Sequence, residues 1–256
     1  MDDDRGQQLL RVIKVLTGEG SGLDRPKLVS DGKLKAGSFL PFYGNKFLLR
    51  LLRNETVHAA FEAMRDELKD ALKIAKLEDF FLFPDRDSLH MTVQDGLCSS
   101  DINKHPRARR ALFDLGLRRF GGANKYLVRP AGIVMGESLS VLIEPDNHEE
   151  RLKLWGMRSA CDEVLGMEHS ATIDCQFHVD LAYPTHYLTD EQARFVAARV
   201  RKAYDTHIAR WVKFELGLVE FCEFDKLSEV VTAGTLGLYG YVDIYPKMEE
   251  KLQSFK

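Results

Sequence analysis

The sequence is poor in the residues from which disulfide frameworks, metal centres and membrane spans are built. Its 256 residues hold only four cysteines. Cys98, Cys161, Cys175 and Cys222 are scattered, with no CxxC pair and no zinc-ligand spacing, so they read as reduced thiols of a cytoplasmic protein. No apolar run approaches the length of a membrane span, and the N-terminus, Met1-Asp2-Asp3-Asp4-Arg5, is acidic where a secretory signal is basic. An excess of positive charge is also missing. The 36 Lys and Arg against 39 Asp and Glu leave a formal net charge of -3, which argues against a protein that coats long duplex nucleic acid. A small or short phosphorylated substrate stays open. One segment departs from the average: Lys104, Arg107, Arg109, Arg110, Arg118, Arg119, Lys125 and Arg129 are opposed locally only by Asp114. It reads either as a solvated helix face or as a phosphate-attracting rim of a cleft.

What the sequence does have is enough apolar residue, 45% of the chain, for a substantial core. Residues 1–40 read as an N-terminal appendage: an amphipathic helix through Leu9, Leu10, Ile13 and Leu16, ended by the glycine-rich stretch 18–22. Residues 41–256 read as a single two-lobed domain, with lobes at roughly 41–135 and 136–245 and exchange of strands between them left open. The first lobe starts with the apolar strand 47–52. A helix follows from the N-cap Asn54 to Lys76, with Val57, Phe61, Met64, Leu68 and Leu72 at helical spacing. Next come an alternating strand around His90, a basic helix near 107–115 and a strand over 126–133. The second lobe repeats the order. A strand spans 140–144, and a capping-box start at Asn147-His148-Glu149-Glu150 opens a helix. An alternating strand then surrounds His178, a second capping box lies at Thr189-Asp190-Glu191-Gln192, and a strand over 214–219 closes the unit. The fold class expected is α+β: a duplicated two-lobed fold with antiparallel sheets facing a central cleft and helices outside.

Candidate chemistry sits on the two histidine strands. In Asp87-Ser88-Leu89-His90-Met91-Thr92-Val93, Leu89, Met91 and Val93 point one way and Ser88, His90 and Thr92 the other. In Gln176-Phe177-His178-Val179-Asp180-Leu181-Ala182-Tyr183, Phe177, Val179 and Leu181 share one face and His178 and Asp180 the other. Imidazoles on matching strands of two lobes are placed to act on one phosphorus from opposite sides, one as general base and one as general acid. Satisfied, half-buried histidines are the structural alternative. His178 and Asp180 as metal ligands lack a further ligand at suitable spacing, so no metal and no cofactor is expected. Of the other histidines, His58, His148 and His207 sit near helix ends, where surface or capping roles are the default. His105 lies in the basic segment and is a candidate substrate contact. Tyr183 and Phe42 are candidates for stacking on a base, with core packing as the alternative.

The two motifs resemble those of the two-histidine phosphoesterase superfamily, which includes RNA-ligase-like and cyclic-nucleotide phosphodiesterase enzymes. Family motifs place Thr or Ser two residues after His. Leu89-His90-Met91-Thr92-Val93 matches fully; the second motif matches in its apolar frame and histidine but has Asp180 where Thr or Ser is usual. Together with Leu40-Pro41-Phe42-Tyr43-Gly44-Asn45 and the N-terminal segment, the chain is similar to a little-characterised bacterial and fungal branch of that superfamily. The resemblance implies a metal-independent phosphodiesterase acting on a cyclic phosphate or phosphodiester of a nucleotide or short RNA. His90 and His178 would be catalytic, and Thr92, with Asp180, Tyr183, Phe42 and His105, would be on the substrate side. Asp180 leaves three readings open: an active enzyme with a modified acid/base pair, an enzyme for a different, non-nucleotide phosphate, or a catalytically silent nucleotide- or RNA-binding module. A purely structural or interaction protein is the remaining alternative. The oligomeric state is not legible.

Overall fold

The computed structural model describes residues 2–51, 56–98, 125–165, 176–237 and 240–243. These residues form helices α1 (Asp2–Thr17), α2 (Lys27–Ser30), α3 (Thr56–Ile74), α4 (His148–Leu165) and α5 (Asp190–His207). The strands are β1 (Leu34–Lys35), β2 (Ser38–Phe39), β3 (Gly44–Arg50), β4 (Phe81–Leu82), β5 (His90–Cys98), β6 (Tyr126–Met135), β7 (Leu139–Pro145), β8 (His178–Pro184), β9 (Phe214–Leu216), β10 (Val219–Lys226), β11 (Glu229–Gly237) and β12 (Gly240–Asp243). The expected cap Asn54 and the basic helix near 107–115 lie outside the described residues.

Local chemistry accounts for the helix ends. Thr189 and Gln192 form the reciprocal capping box of α5, the Gln192 N–H donating to Thr189 Oγ1 and the Thr189 N–H to Gln192 Oε1. At α4 only half of the expected box forms. Asn147 Oδ1 accepts from the Glu150 N–H at 3.0 Å, while the Glu150 carboxylate turns away to accept from the Leu127 N–H, also at 3.0 Å. A sequence pattern cannot tell which of two unpaired N–H groups a carboxylate will serve. Helix α3 ends on Lys76 with φ 58°, and the next N–H, that of Leu77, reaches back to the Leu72 carbonyl at 2.8 Å. A lysine thus takes the left-handed position that glycine more often fills.

One antiparallel sheet of ten strands runs through the molecule in the order β12-β11-β10-β3-β5-β8-β7-β6-β9, with β4 added on β8. The expectation of antiparallel strands with outer helices holds, and the strands form one continuous sheet. In it β6 pairs with β7, and β10 pairs with β3. The single strand expected over 214–219 is two strands, β9 and β10, broken at Gly217 and Leu218. That break dictates the sheet's shape. Leu216 and Val219 are three Cα steps apart, at most about 11 Å, yet β9 and β10 are six strand positions apart along the sheet order. In a flat sheet that distance would be roughly 29 Å, so the sheet has to curl its ends toward each other.

Alternation along the strands makes one face apolar. Phe47, Leu49, Met91, Val93, Val179, Leu181, Val141, Ile143 and Phe221 are buried in one large core with the inner faces of the helices. Helix α1 belongs to that core: Val12, Ile13 and Leu16 are buried within it. Its far end is held where Leu188 N–H donates to the Leu16 carbonyl at 2.9 Å. The turn there needs glycine on two counts. Gly18 has φ +75°, and a Cβ on it would lie 2.6 Å from the Tyr187 ring.

Because Leu16 is an integral core residue and not a loosely attached one, Leu16→Ala is predicted to cost about 2–5 kcal/mol, as large-to-small core changes do. Urea unfolding monitored by circular dichroism measures it. A loss below about 1 kcal/mol would mean that α1 packs peripherally.

Candidate active site

The opposite face of the curled sheet is polar at its centre. Here β5 and β8, the two histidine strands, are direct neighbours, joined at the register pair Met91–Val179. Met91 and Val179 point into the core. One residue to either side along this antiparallel register, His90 stands across from Asp180 and Thr92 across from His178, all on the other face. Beyond this pair the strands diverge, and at Leu82–Tyr183 the partner of β8 is β4. His90, Thr92, His178 and Asp180 are all half-buried.

Both imidazoles are held in the same way. His90 Nδ1 is hydrogen-bonded to the Ser88 carbonyl, and His178 Nδ1 to the Gln176 carbonyl at 2.8 Å, each two residues back along its own strand. A carbonyl only accepts, so Nδ1 carries the proton and donates it. In the neutral ring Nε2 is then left as the acceptor facing the site. The environments differ. Burial, together with the charges of Lys46 and Arg50, outweighs the Ser88 carbonyl and Asp180 and pulls the His90 pKa down to about 3. His178 instead has Asp180 Oδ1 3.4 Å from its Nε2.

Asp180 is the departure from the family's motif, and its surroundings show what keeps it ionised. Ser138 Oγ and Ser140 Oγ donate to Oδ1 at 2.5 and 2.8 Å, and Tyr183 Oη donates to Oδ2 at 2.7 Å. Burial alone would raise the carboxyl, but the charge of His178 and the three hydroxyls outweigh it, holding Asp180 below the usual carboxylate range. Ser140 faces Asp180 in the β7–β8 register. The sequence singles out neither Ser138 nor Ser140, because nothing in a lone serine before or inside an apolar strand says that it will meet a carboxylate forty residues away.

Of the other residues expected at the site, Tyr183 is buried, with its hydroxyl on Asp180 and its ring edge-on to Phe39 at 5.8 Å. Phe42 packs against Phe224 at 6.0 Å, with Lys33 Nζ 4.6 Å over its ring. Both rings are thus engaged in packing contacts. His105 lies outside the described residues. Among the histidines given surface roles by default, His58 is instead buried.

Two further residues on this face belong to no sequence motif. Arg50, opposite His90 in the β3–β5 register, donates Nε to Glu220 Oε2 at 2.9 Å, Nη1 to the Asp87 carbonyl at 2.8 Å, and Nη2 to the Val230 carbonyl and Thr232 Oγ1 at 3.0 and 3.1 Å. It ties the strand end beneath His90 to β10 and β11. A charged residue inside an apolar run, as Arg50 is within 47–52, is the available signal. Lys46, two alternations further along β3, stands across from Cys222 and has Nζ 5.1 Å from the Phe224 ring. Cys161 and Cys222 are buried free thiols, and burial pushes Cys222 up to about 12, so it stays a protonated, unreactive neighbour. Among the described residues no group of three or more His, Cys, Asp or Glu is placed to hold a metal ion, and no helix is long and apolar enough to cross a membrane.

The depressed His90 pKa has a thermodynamic consequence. The unfolded chain takes up a proton on His90 near its ordinary 6.5, whereas the folded chain resists until about 3. Between those values the unfolded state binds more protons, so stability rises with pH and is lost as pH falls through the window. His90→Gln is predicted to flatten the stability profile from pH 6.5 down to about 4, measured by urea unfolding at a series of pH values. An unchanged slope would show that the His90 ring titrates alike in both states.

Residues 34–109 match the family model 2H-phosphodiest, described as a domain of unknown function (DUF1868). No curated protein matches the sequence. Among solved structures, a conserved protein of unknown function, ATU0111 from Agrobacterium tumefaciens str. C58, is similar over 89% of this chain and 98% of its own, with 18% identity and a TM-score of 0.68. It shares the fold. TT0787 of Thermus thermophilus aligns over 77% of this chain and 98% of its own at 12% identity and a TM-score of 0.49. LigT of E. coli, solved with 3'-AMP, aligns over 77% and 98% at 9% identity and a TM-score of 0.48. The first histidine motif falls inside the segment that matches the 2H-phosphodiest model, and His178 stands on the neighbouring strand.

Proposed function

We propose that this protein is a phosphodiesterase that acts on a cyclic phosphate or phosphodiester of a nucleotide or short RNA, with the two histidines as general base and general acid. The observation that carries the reading is the matched presentation of His90 and His178. On adjacent strands and one sheet face, each has Nδ1–H engaged by the carbonyl two residues back, which leaves Nε2 for proton transfer. The nucleotide or RNA substrate is inferred from the superfamily and not from this geometry.

Charge supports one division of the roles. A base has to be unprotonated when it acts, and the low pKa of His90 keeps its Nε2 lone pair free. It takes the proton of the attacking water or ribose hydroxyl. An acid has to arrive protonated. With Nδ1–H already bound to Gln176, a second proton on His178 resides on Nε2, where Asp180 Oδ1 at 3.4 Å is the counter-ion. From there it passes to the leaving oxygen. Thr92, across from His178, offers a hydroxyl to a non-bridging oxygen. In this reading Asp180 supports catalysis: three hydroxyls satisfy it, and its charge acts on His178 instead of repelling substrate.

His90→Ala and His178→Ala are each predicted to lower kcat/KM by ~10²–10⁴-fold with the fold intact, since that is what a positioned acid or base contributes. Cyclic mononucleotides and short RNAs with cyclic-phosphate ends, assayed with and without chelator, are the test. Near-full activity in either variant removes that residue from the mechanism. Tight binding of these compounds with no turnover by the parent protein would favour the silent binding module.

Asp180→Asn is predicted to lower kcat/KM on the same cyclic phosphates, because it removes the carboxylate that stands 3.4 Å from His178 Nε2. A kcat/KM equal to that of the parent would show that the carboxylate plays no part in the proton transfer.

A further inference from the structure

Among the described residues, three charged pairs of the polar face and its edge are matched at contact. Arg50 lies 2.9 Å from Glu220, and His178 lies 3.4 Å from Asp180. At the edge, Lys33 lies 3.7 Å from Asp31. Each of these pairs sums to zero once His178 is protonated. Lys46 is different. It shares the face, being half-buried between the core residues of β3 and opposite Cys222. Its register partner on β5 is Asp95, which is exposed, and among the described residues no ion pair joins Lys46 to it or to any other anion. Its one described polar contact is with the face of the Phe224 ring. A half-buried ammonium held against an aromatic ring and joined to no carboxylate among the described residues is a cation kept available for an anion that comes from outside.

Its position suits a phosphate. Along β5 the residues on this face run from His90 to Thr92 toward Asp95, and along β3 from Arg50 to Leu48 to Lys46, so Thr92 lies between the histidine and the lysine. The flexible four-carbon stem of a lysine can carry its charge about one strand step along the sheet.

We propose that Lys46 is a substrate-binding residue that holds a non-bridging oxygen of a monoanionic phosphodiester beside Thr92, a role left vacant where the second motif carries Asp180 in place of a hydroxyl. This rests on the proposed function and deepens it to a preference. The single positive charge of Lys46 balances a monoanionic diester and only half balances a dianionic monoester product. Lys46 thus favours binding of the substrate over retention of the product. The charge of Lys46 also acts on His90, which gives the assignment a second readout.

The test is binding to the full-length protein, followed by NMR of the histidine ring protons, with two probes. One is a 2′-deoxy dinucleoside monophosphate, a monoanionic diester without a 2′-hydroxyl; the other is inorganic phosphate. Lys46→Met is expected to weaken diester binding about tenfold or more, the scale of one lost charge-assisted hydrogen bond, and to raise the pH at which His90 titrates. Lys46→Arg should restore most of both. Lys46→Gln, which keeps a polar stem, repeats the measurement should the methionine variant fold poorly. Binding retained within twofold in Lys46→Met and Lys46→Gln, with the His90 titration unmoved, overturns the role of Lys46 and leaves the phosphodiesterase reading standing. Failure of the parent protein to bind either probe overturns both.

Discussion

The pairing of Met91 with Val179 organises the rest of the molecule. It is where the two halves of the sheet join, and it sets the phase of both histidine strands at once. With Met91 and Val179 in the core, period-two alternation delivers His90, Thr92, His178 and Asp180 to the other face. A slip of one residue in either strand would bury an imidazole among Leu, Val and Phe side chains and expose the apolar residues instead. The core thus acts as the clamp on the site. Large apolar side chains on both strands make any other register costly, and each histidine needs only one local hydrogen bond, to the carbonyl two residues back, to complete its orientation.

Curling of the sheet follows from the shortness of one connection. Only Gly217 and Leu218 separate β9 from β10, which lie six positions apart in the strand order. That link brings β10 and β11 around to the histidine face, where Glu220 and Thr232 meet Arg50. Without the return of β10 to β3, Arg50 would be an uncompensated guanidinium beside His90. With it, the charge is neutralised and fixed in place, and four hydrogen bonds hold the strand end under His90.

Asp180 illustrates why a motif departure is ambiguous until its partners are known. A carboxylate next to a phosphate site is repulsive if it is solvated and unengaged. Here two serine hydroxyls and a tyrosine hydroxyl take its lone pairs and His178 takes its charge. The same residue then becomes a local counter-ion to His178.

Much of the fold was legible in the sequence because its causes are local. The alternation at 89–93 and 177–181 places apolar and polar side chains on opposite faces whatever lies nearby, and Thr189 with Gln192 caps α5 through contacts four residues apart or fewer. The α+β class and both histidine strands followed from such patterns. Contacts between distant segments were out of reach. The core seat of α1, the division of 214–219 into strands on far sides of the sheet, the half-formed cap at Glu150 and the burial of His58 all depend on which surface a segment meets. At the site, the sequence by itself determined that two imidazoles would stand on the polar faces of two strands. Only the tertiary structure decided that those strands adjoin, that Ser138, Ser140 and Tyr183 converge on Asp180, and that Arg50 is paired while Lys46 meets no anion among the described residues. The physical reason is that side-chain direction is set within a few residues of backbone, whereas charge pairing and solvent exclusion are set by neighbours that the chain brings back from 40 residues away, as with Ser140 and Asp180, to 170, as with Glu220 and Arg50.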